Sequence, residues 1–94
     1  MTKTDLLAHQ QGDAVAVAVS DLEPGTSSVG FLDEGPGSTV DVVGQVPLGH
    51  KVALQDLAAG TDVIEYGTVI GRATSDIRTG EHVHVHNVKG VRWV

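Results

Sequence analysis

Three times in 94 residues the chain repeats one five-residue phrase: Asp21-Leu22-Glu23-Pro24-Gly25, Asp56-Leu57-Ala58-Ala59-Gly60 and Asp76-Ile77-Arg78-Thr79-Gly80. Each reads Asp, aliphatic, two variable residues, Gly, and Val46-Pro47-Leu48-Gly49 is a relaxed copy. An Asp can accept hydrogen bonds from nearby backbone N–H groups, the aliphatic residue can pin the turn to a core, and Gly can take positive φ before the next strand. Taken singly, each copy is ordinary turn chemistry and says nothing about activity.

The stretches between these turns read as short strands. Ala14-Val15-Ala16-Val17-Ala18-Val19 places β-branched residues at every second position and predicts a buried strand. Val29-Gly30-Phe31-Leu32 is a weaker strand pattern, followed by a loop from Asp33 to Ser38 whose Gly35, Pro36 and Gly37 interrupt any regular element. From Thr39 onward, Val40, Val42, Val43, Val46, then Val52-Ala53-Leu54, Val63-Ile64, Val69-Ile70 and Val83 with Val85 recur between turn signals. The pattern predicts an all-β domain with Val15, Val17, Val52, Leu54, Val63, Ile64, Val69, Val83 and Val85 in its core. A chain this short buries only about 60–65% of its unfolded surface, so one domain, residues 1–94, is the limit.

Composition narrows the function classes. Twelve acidic residues against six basic ones, with one Phe, one Tyr and one Trp, leave neither a basic face nor stacking rings for nucleic acid. With no cysteine, any metal ligated here must use His, carboxylate or backbone oxygen. No segment approaches the roughly 18 apolar residues of a membrane span, and the N-terminus lacks the apolar core of a signal peptide. The expectation is a cytoplasmic protein.

Four stretches then carry a resemblance: Gly12-Asp13-Ala14-Val15-Ala16-Val17-Ala18, Pro47-Leu48-Gly49-His50-Lys51-Val52-Ala53-Leu54, Ile64-Glu65-Tyr66-Gly67-Thr68-Val69-Ile70-Gly71-Arg72-Ala73, and Gly80-Glu81-His82-Val83-His84-Val85-His86-Asn87. In this order they resemble the SAF-type, or β-clip, module of the altronate/galactarate dehydratase family, from about Leu6 to Trp93. The likeness is weakest over the Asp33–Ser38 loop. It implies a small module that works with a large catalytic partner chain. Members of the family eliminate water from altronate or galactarate, or sulfite from sulfolactate; all three substrates are 2-hydroxy acids. The resemblance also implies a divalent metal, Fe²⁺ or Mn²⁺, bound in part or mainly by the large chain.

The candidate site residues fall in two short elements, Gly49-His50-Lys51 and His82-Val83-His84-Val85-His86. On a continuous strand His82, His84 and His86 would share one face while Val83 and Val85 point to the core. Neighbouring imidazoles on one face can bind a first-row metal, although the same pattern arises as a merely half-solvated polar face. The resemblance favours His84 and His86 as catalytic residues and metal ligands and Asn87 as a substrate-binding or orienting residue. It adds His50 as a catalytic and Lys51 as a substrate-binding candidate. His9 reads as structural or exposed. Removing the proton alpha to a carboxylate is work for a His or Lys base, with a second group protonating a departing hydroxide. A second class of function remains open: a non-catalytic SAF module that holds a sugar acid or a protein partner. Trp93 offers a docking residue unless it folds back onto the domain, and a homo-oligomer is compatible with the sequence.

Overall fold

The computed structural model describes residues 4–33 and 35–90; Trp93 lies outside them. Nine strands account for its regular structure, with no helix among the described residues: β1 (Leu6–Ala8), β2 (Val15–Ala18), β3 (Gly25–Phe31), β4 (Ser38–Val42), β5 (Lys51–Ala53), β6 (Asp62–Glu65), β7 (Thr68–Ala73), β8 (His82–Val83) and β9 (Val88–Gly90). Six form one sheet in the order β4-β3-β1-β2-β5-β8, and three form a second in the order β6-β7-β9. Every pairing is antiparallel except β1 with β3. The all-β architecture expected from the strand and turn spacing is therefore present, and it is consistent with the β-clip module that the resemblance implies.

The recurring turns work in pairs. Leu57 and Ile77 exchange both backbone hydrogen bonds at 2.7 Å each, making a bridge between the second and third Asp phrases. Around that bridge the Ala59 N–H donates to Asp76 Oδ1 (2.9 Å) and the Thr79 N–H donates to Asp56 Oδ1 (2.8 Å), so each turn caps the other. Leu22 and Val46 bridge in the same way, at 2.8 and 3.0 Å. Here only one cap exists, from the Leu48 N–H to Asp21 Oδ1 (2.8 Å). The residue that would donate the reciprocal bond is Pro24, which has no N–H. The residue that would accept it is Gln45, not Asp. The two departures match.

Each bridge plugs its own apolar cluster. Leu22 and Val46 pack with Leu6, Ala8, Ala16, Ala18, Val29, Val40, Val42 and Val52. Leu57 and Ile77 pack with Ala14, Val15, Ala53, Val63, Ala73 and Val83. Full burial of each such side chain contributes about 1.5–3 kcal/mol, so the aliphatic second position of the phrase anchors the turn as the sequence suggests.

Gly80 shows why the phrase ends in glycine. Its φ is +93°, and a Cβ there would collide with the carbonyl oxygen of Asp41, while its own carbonyl accepts the Val43 N–H (3.1 Å). The turn thus lies directly against the end of β4.

Of the expected core residues, Val15, Val52, Val63 and Val83 are buried, while Val17, Leu54 and Val69 are partly so. Two depart from expectation. Ile64 is 43% exposed because burial alternates along β6, and with Val63 turned to the core the next side chain points to the opposite face. Val85 is 83% exposed, because β8 ends at Val83 and the chain turns through residues 84–87 into β9.

Candidate functional site

The histidine site grows out of the β5–β8 pairing. Lys51 faces Val83 and Val52 faces His82, and the same antiparallel register, carried one step further, sets His50 opposite His84. Cross-strand partners share a face, so these two rings meet: their centroids are 3.8 Å apart with planes at 15°. His82 lies on that face too, with its Nε2 2.7 Å from His50 Nδ1. That contact needs complementary tautomers, one nitrogen donating and the other accepting. His86 joins from the turn, its ring 5.0 Å from that of His82.

Alternation on one strand accounts for His82 and His84 but not for the whole cluster. The continuous histidine strand expected from the sequence is replaced by a two-residue strand and a turn, held by Asn87. The Asn87 side chain, 7% exposed, accepts the His84 N–H at Oδ1 (3.0 Å) and donates from Nδ2 to the His82 carbonyl (2.9 Å). In this arrangement Asn87 positions the two histidines through their backbone.

Lys51 and His84 line one cleft of about 370 Å³, together with Glu65, Ile70, Val83, Val85, Val88 and Gly90, so the cleft touches both sheets. Glu65 was not evident from the sequence. It ends β6 just before the two-residue turn Tyr66-Gly67, where both residues have positive φ, at 55° and 70°. Buried Asp13 holds that turn: its Oδ1 accepts the Tyr66 N–H (2.8 Å) and its Oδ2 accepts the His9 N–H (3.0 Å). His9 lies 5.1 Å from the Tyr66 ring, away from the other histidines.

Crowding sets the electrostatics. Withdrawal from water, then the charges that His50, His86 and His84 would carry, hold the His82 pKa below its ordinary value near 6.5. His84 is lowered by the same primary cause, then by His50, His86 and Lys51. Both imidazoles therefore favour the neutral form, the one able to take up a proton or a metal.

An imidazole binds a metal in its ring plane at about 2.0–2.1 Å, so two ligands must aim their in-plane lone pairs at one point. The nearly parallel His50 and His84 rings aim theirs side by side, and His50 Nδ1 is engaged with His82. No group of three His, Asp or Glu side chains among the described residues is placed to hold a metal. The cluster as arranged does not fit a metal centre made by this chain alone.

Comparison with known proteins agrees with this architecture. Residues 4–91 match the family model for the altronate/galactarate dehydratase SAF domain. The chain is 44% identical over 91 residues to the (2R)-sulfolactate sulfo-lyase subunit alpha of Chromohalobacter salexigens, covering 95% of this chain and 97% of that one. It is 36% identical over 87 residues to the altronate dehydratase of Bacillus subtilis, covering 93% of this chain but only 16% of the relative. With the altronate dehydratase of Escherichia coli the identity is 47% over 77 residues, 82% of this chain and 14% of the relative. The same small fold is thus nearly the whole of one relative and about one sixth of others, and the chain belongs to the altronate/galactarate dehydratase SAF-domain family.

Proposed function

We propose that this chain is the small subunit of a lyase that eliminates water or sulfite from a 2-hydroxy acid, and that it supplies imidazoles to an active site completed by a separate large chain. The observation that carries this reading is the gathering of His50, His82, His84 and His86 beside Lys51, in a chain almost coextensive with a relative named as a sulfo-lyase subunit. In the proposed reaction, His84 takes the proton from C2 of the substrate. The C–H electron pair becomes the C2–C3 double bond, and the bond from C3 to the leaving group breaks. The enol that remains tautomerises to a 2-keto acid. Sulfite leaves as a stable anion, whereas hydroxide requires a proton, which His86 or His50 supplies. The Lys51 ammonium pairs with the substrate carboxylate, and Asn87 keeps the histidine turn in place. The Fe²⁺ or Mn²⁺ implied by the family takes its ligands mainly from the large chain, in keeping with the ring geometry.

The test combines the purified chain with the large dehydratase-type chain from the same source and follows keto acid from altronate and galactarate, and sulfite from sulfolactate. Neither chain alone should turn over. The double substitution H84Q/H86Q should leave folding and complex formation intact and lower kcat about 10²-fold or more, the usual contribution of a positioned acid or base. Unchanged turnover would instead leave this chain a non-catalytic binding module.

A further inference from the structure

The turn that carries the histidines also displays an apolar residue against its chemical preference. Had β8 continued, Val85 would lie on the face of Val83, which is 3% exposed. Instead the Asn87 clamp ends the strand and leaves Val85 83% exposed, the most exposed large hydrophobic among the described residues. Burying a valine is favourable, and the turn forgoes that contribution in the isolated chain. Val85 is not alone: Ile70, Val83 and Val88 line the same cleft, with Lys51, Glu65 and His84.

We propose that Val85 and this cleft are the docking surface for the large chain, which seats an apolar side chain against Val85, Ile70 and Val88 with polar groups facing Lys51 and Glu65. The inference rests on the subunit reading above and adds where the two chains meet. Its first support is continuity. Val85 lies between His84 and His86, and a site shared with another chain requires that chain's atoms within about 3 Å of these imidazoles, so it must cover the turn. Length is the second. About five sixths of the altronate dehydratases lies outside the segment matched here, so a large body is there to be covered against. The clamped turn also presents Val85 already ordered, which lowers the cost of association. A second copy of this chain fits less well, because its formal net charge of −6 makes two copies repel.

The chain has no cysteine, so V85C and L32C each carry a single reporter thiol. Leu32 is also exposed but follows β3, four strands from β8 in the sheet order. Adding the large chain should slow maleimide labelling of V85C at least tenfold and leave L32C unchanged, and V85D should weaken the complex at least tenfold. Labelling of V85C that is as fast in the complex as in the free chain would overturn the surface while the subunit reading stands. Protection of V85C by raising its own concentration would assign the surface to a second copy and overturn the proposal. No complex with the unsubstituted chain would overturn the subunit reading and the surface together.

Discussion

The two turn pairs share a bridge and a core plug but not their caps. In the Asp56/Asp76 pair both carboxylates are used, each on the other turn's backbone; in the Asp21/Gln45 pair a single carboxylate suffices because Pro24 removes the second donor. A turn phrase is therefore retained only as far as there is a backbone group to satisfy. The strands leaving the two pairs meet at β5 and β8, with His50 next to Gly49 and His82 two residues after Gly80. The candidate site thus lies where the two pairs join.

Glycine substitution separates the pairs most strongly. Gly60 and Gly80 occupy the same turn position with nearly the same φ, 86° and 93°, but a Cβ on Gly60 meets nothing within 4 Å whereas one on Gly80 collides with β4. Gly60→Ala should cost about 1–2 kcal/mol, the left-handed penalty alone. Gly80→Ala should cost about 2–5 kcal/mol by adding overpacking, measured by denaturant unfolding. Equal losses would mean that β4 yields and that the contact between halves is loose.

A smaller contrast lies along the strand that the second pair feeds. Val83→Ala should lower stability by about 1–3 kcal/mol, since the residue is buried in the cluster around Ile77. Val85→Ala should change it by less than about 0.5 kcal/mol in the isolated chain. A large loss at Val85 would place it under cover.

These contrasts also mark what the sequence made legible. The turn phrases were readable because Asp and Gly act locally, but their pairing joins bridge residues twenty or more positions apart and leaves no periodic trace. β1 was missed: three residues paired in parallel to β3 carry no turn signal of their own. The period of two grouped His82 with His84, yet the contact of His50 with His84 comes from strand register. His86 and Val85 were misassigned to a strand because the polar clamp from Asn87 overrides alternation. An Asn three residues after His84, just before Val88-Lys89-Gly90, was the available sign of a turn.

Acid should expose the difference between caps and rings. The Thr79 backbone N–H and hydroxyl both bond Asp56, at 2.8 and 2.9 Å, and these bonds hold its pKa below 3.8. Its stabilisation is present above pH 3.8 and is lost as pH falls through the lowered value. The pKa values of His82 and His84 are also depressed, but from near 6.5, so their neutral forms stabilise the fold above that pH and their contribution fades below it. Unfolding midpoints against pH should therefore fall in two steps. H82Q/H84Q should remove the upper step and Asp56→Asn should shrink the lower one; a single step unaffected by H82Q/H84Q would show that the cluster accepts protons freely.

The smallest effect bears most directly on why the pairs differ. If Gln45 is tolerated because Pro24 offers no N–H, then Gln45→Asp alone gains no hydrogen bond. Pro24→Ala alone exposes a donor with nothing opposite it, and also frees the unfolded chain, which itself costs about 0.4–1 kcal/mol. Combining them recreates the reciprocal cap seen between Ala59 and Asp76. The double-mutant cycle cancels the proline entropy, which appears in both Pro24→Ala arms, and isolates the new bond. Its coupling energy should be about 0.5–1.5 kcal/mol in favour of the double variant, the usual net value of one hydrogen bond. Zero coupling would mean that the carboxylate cannot reach across this pair, and the asymmetry would then originate in turn geometry rather than in the missing donor.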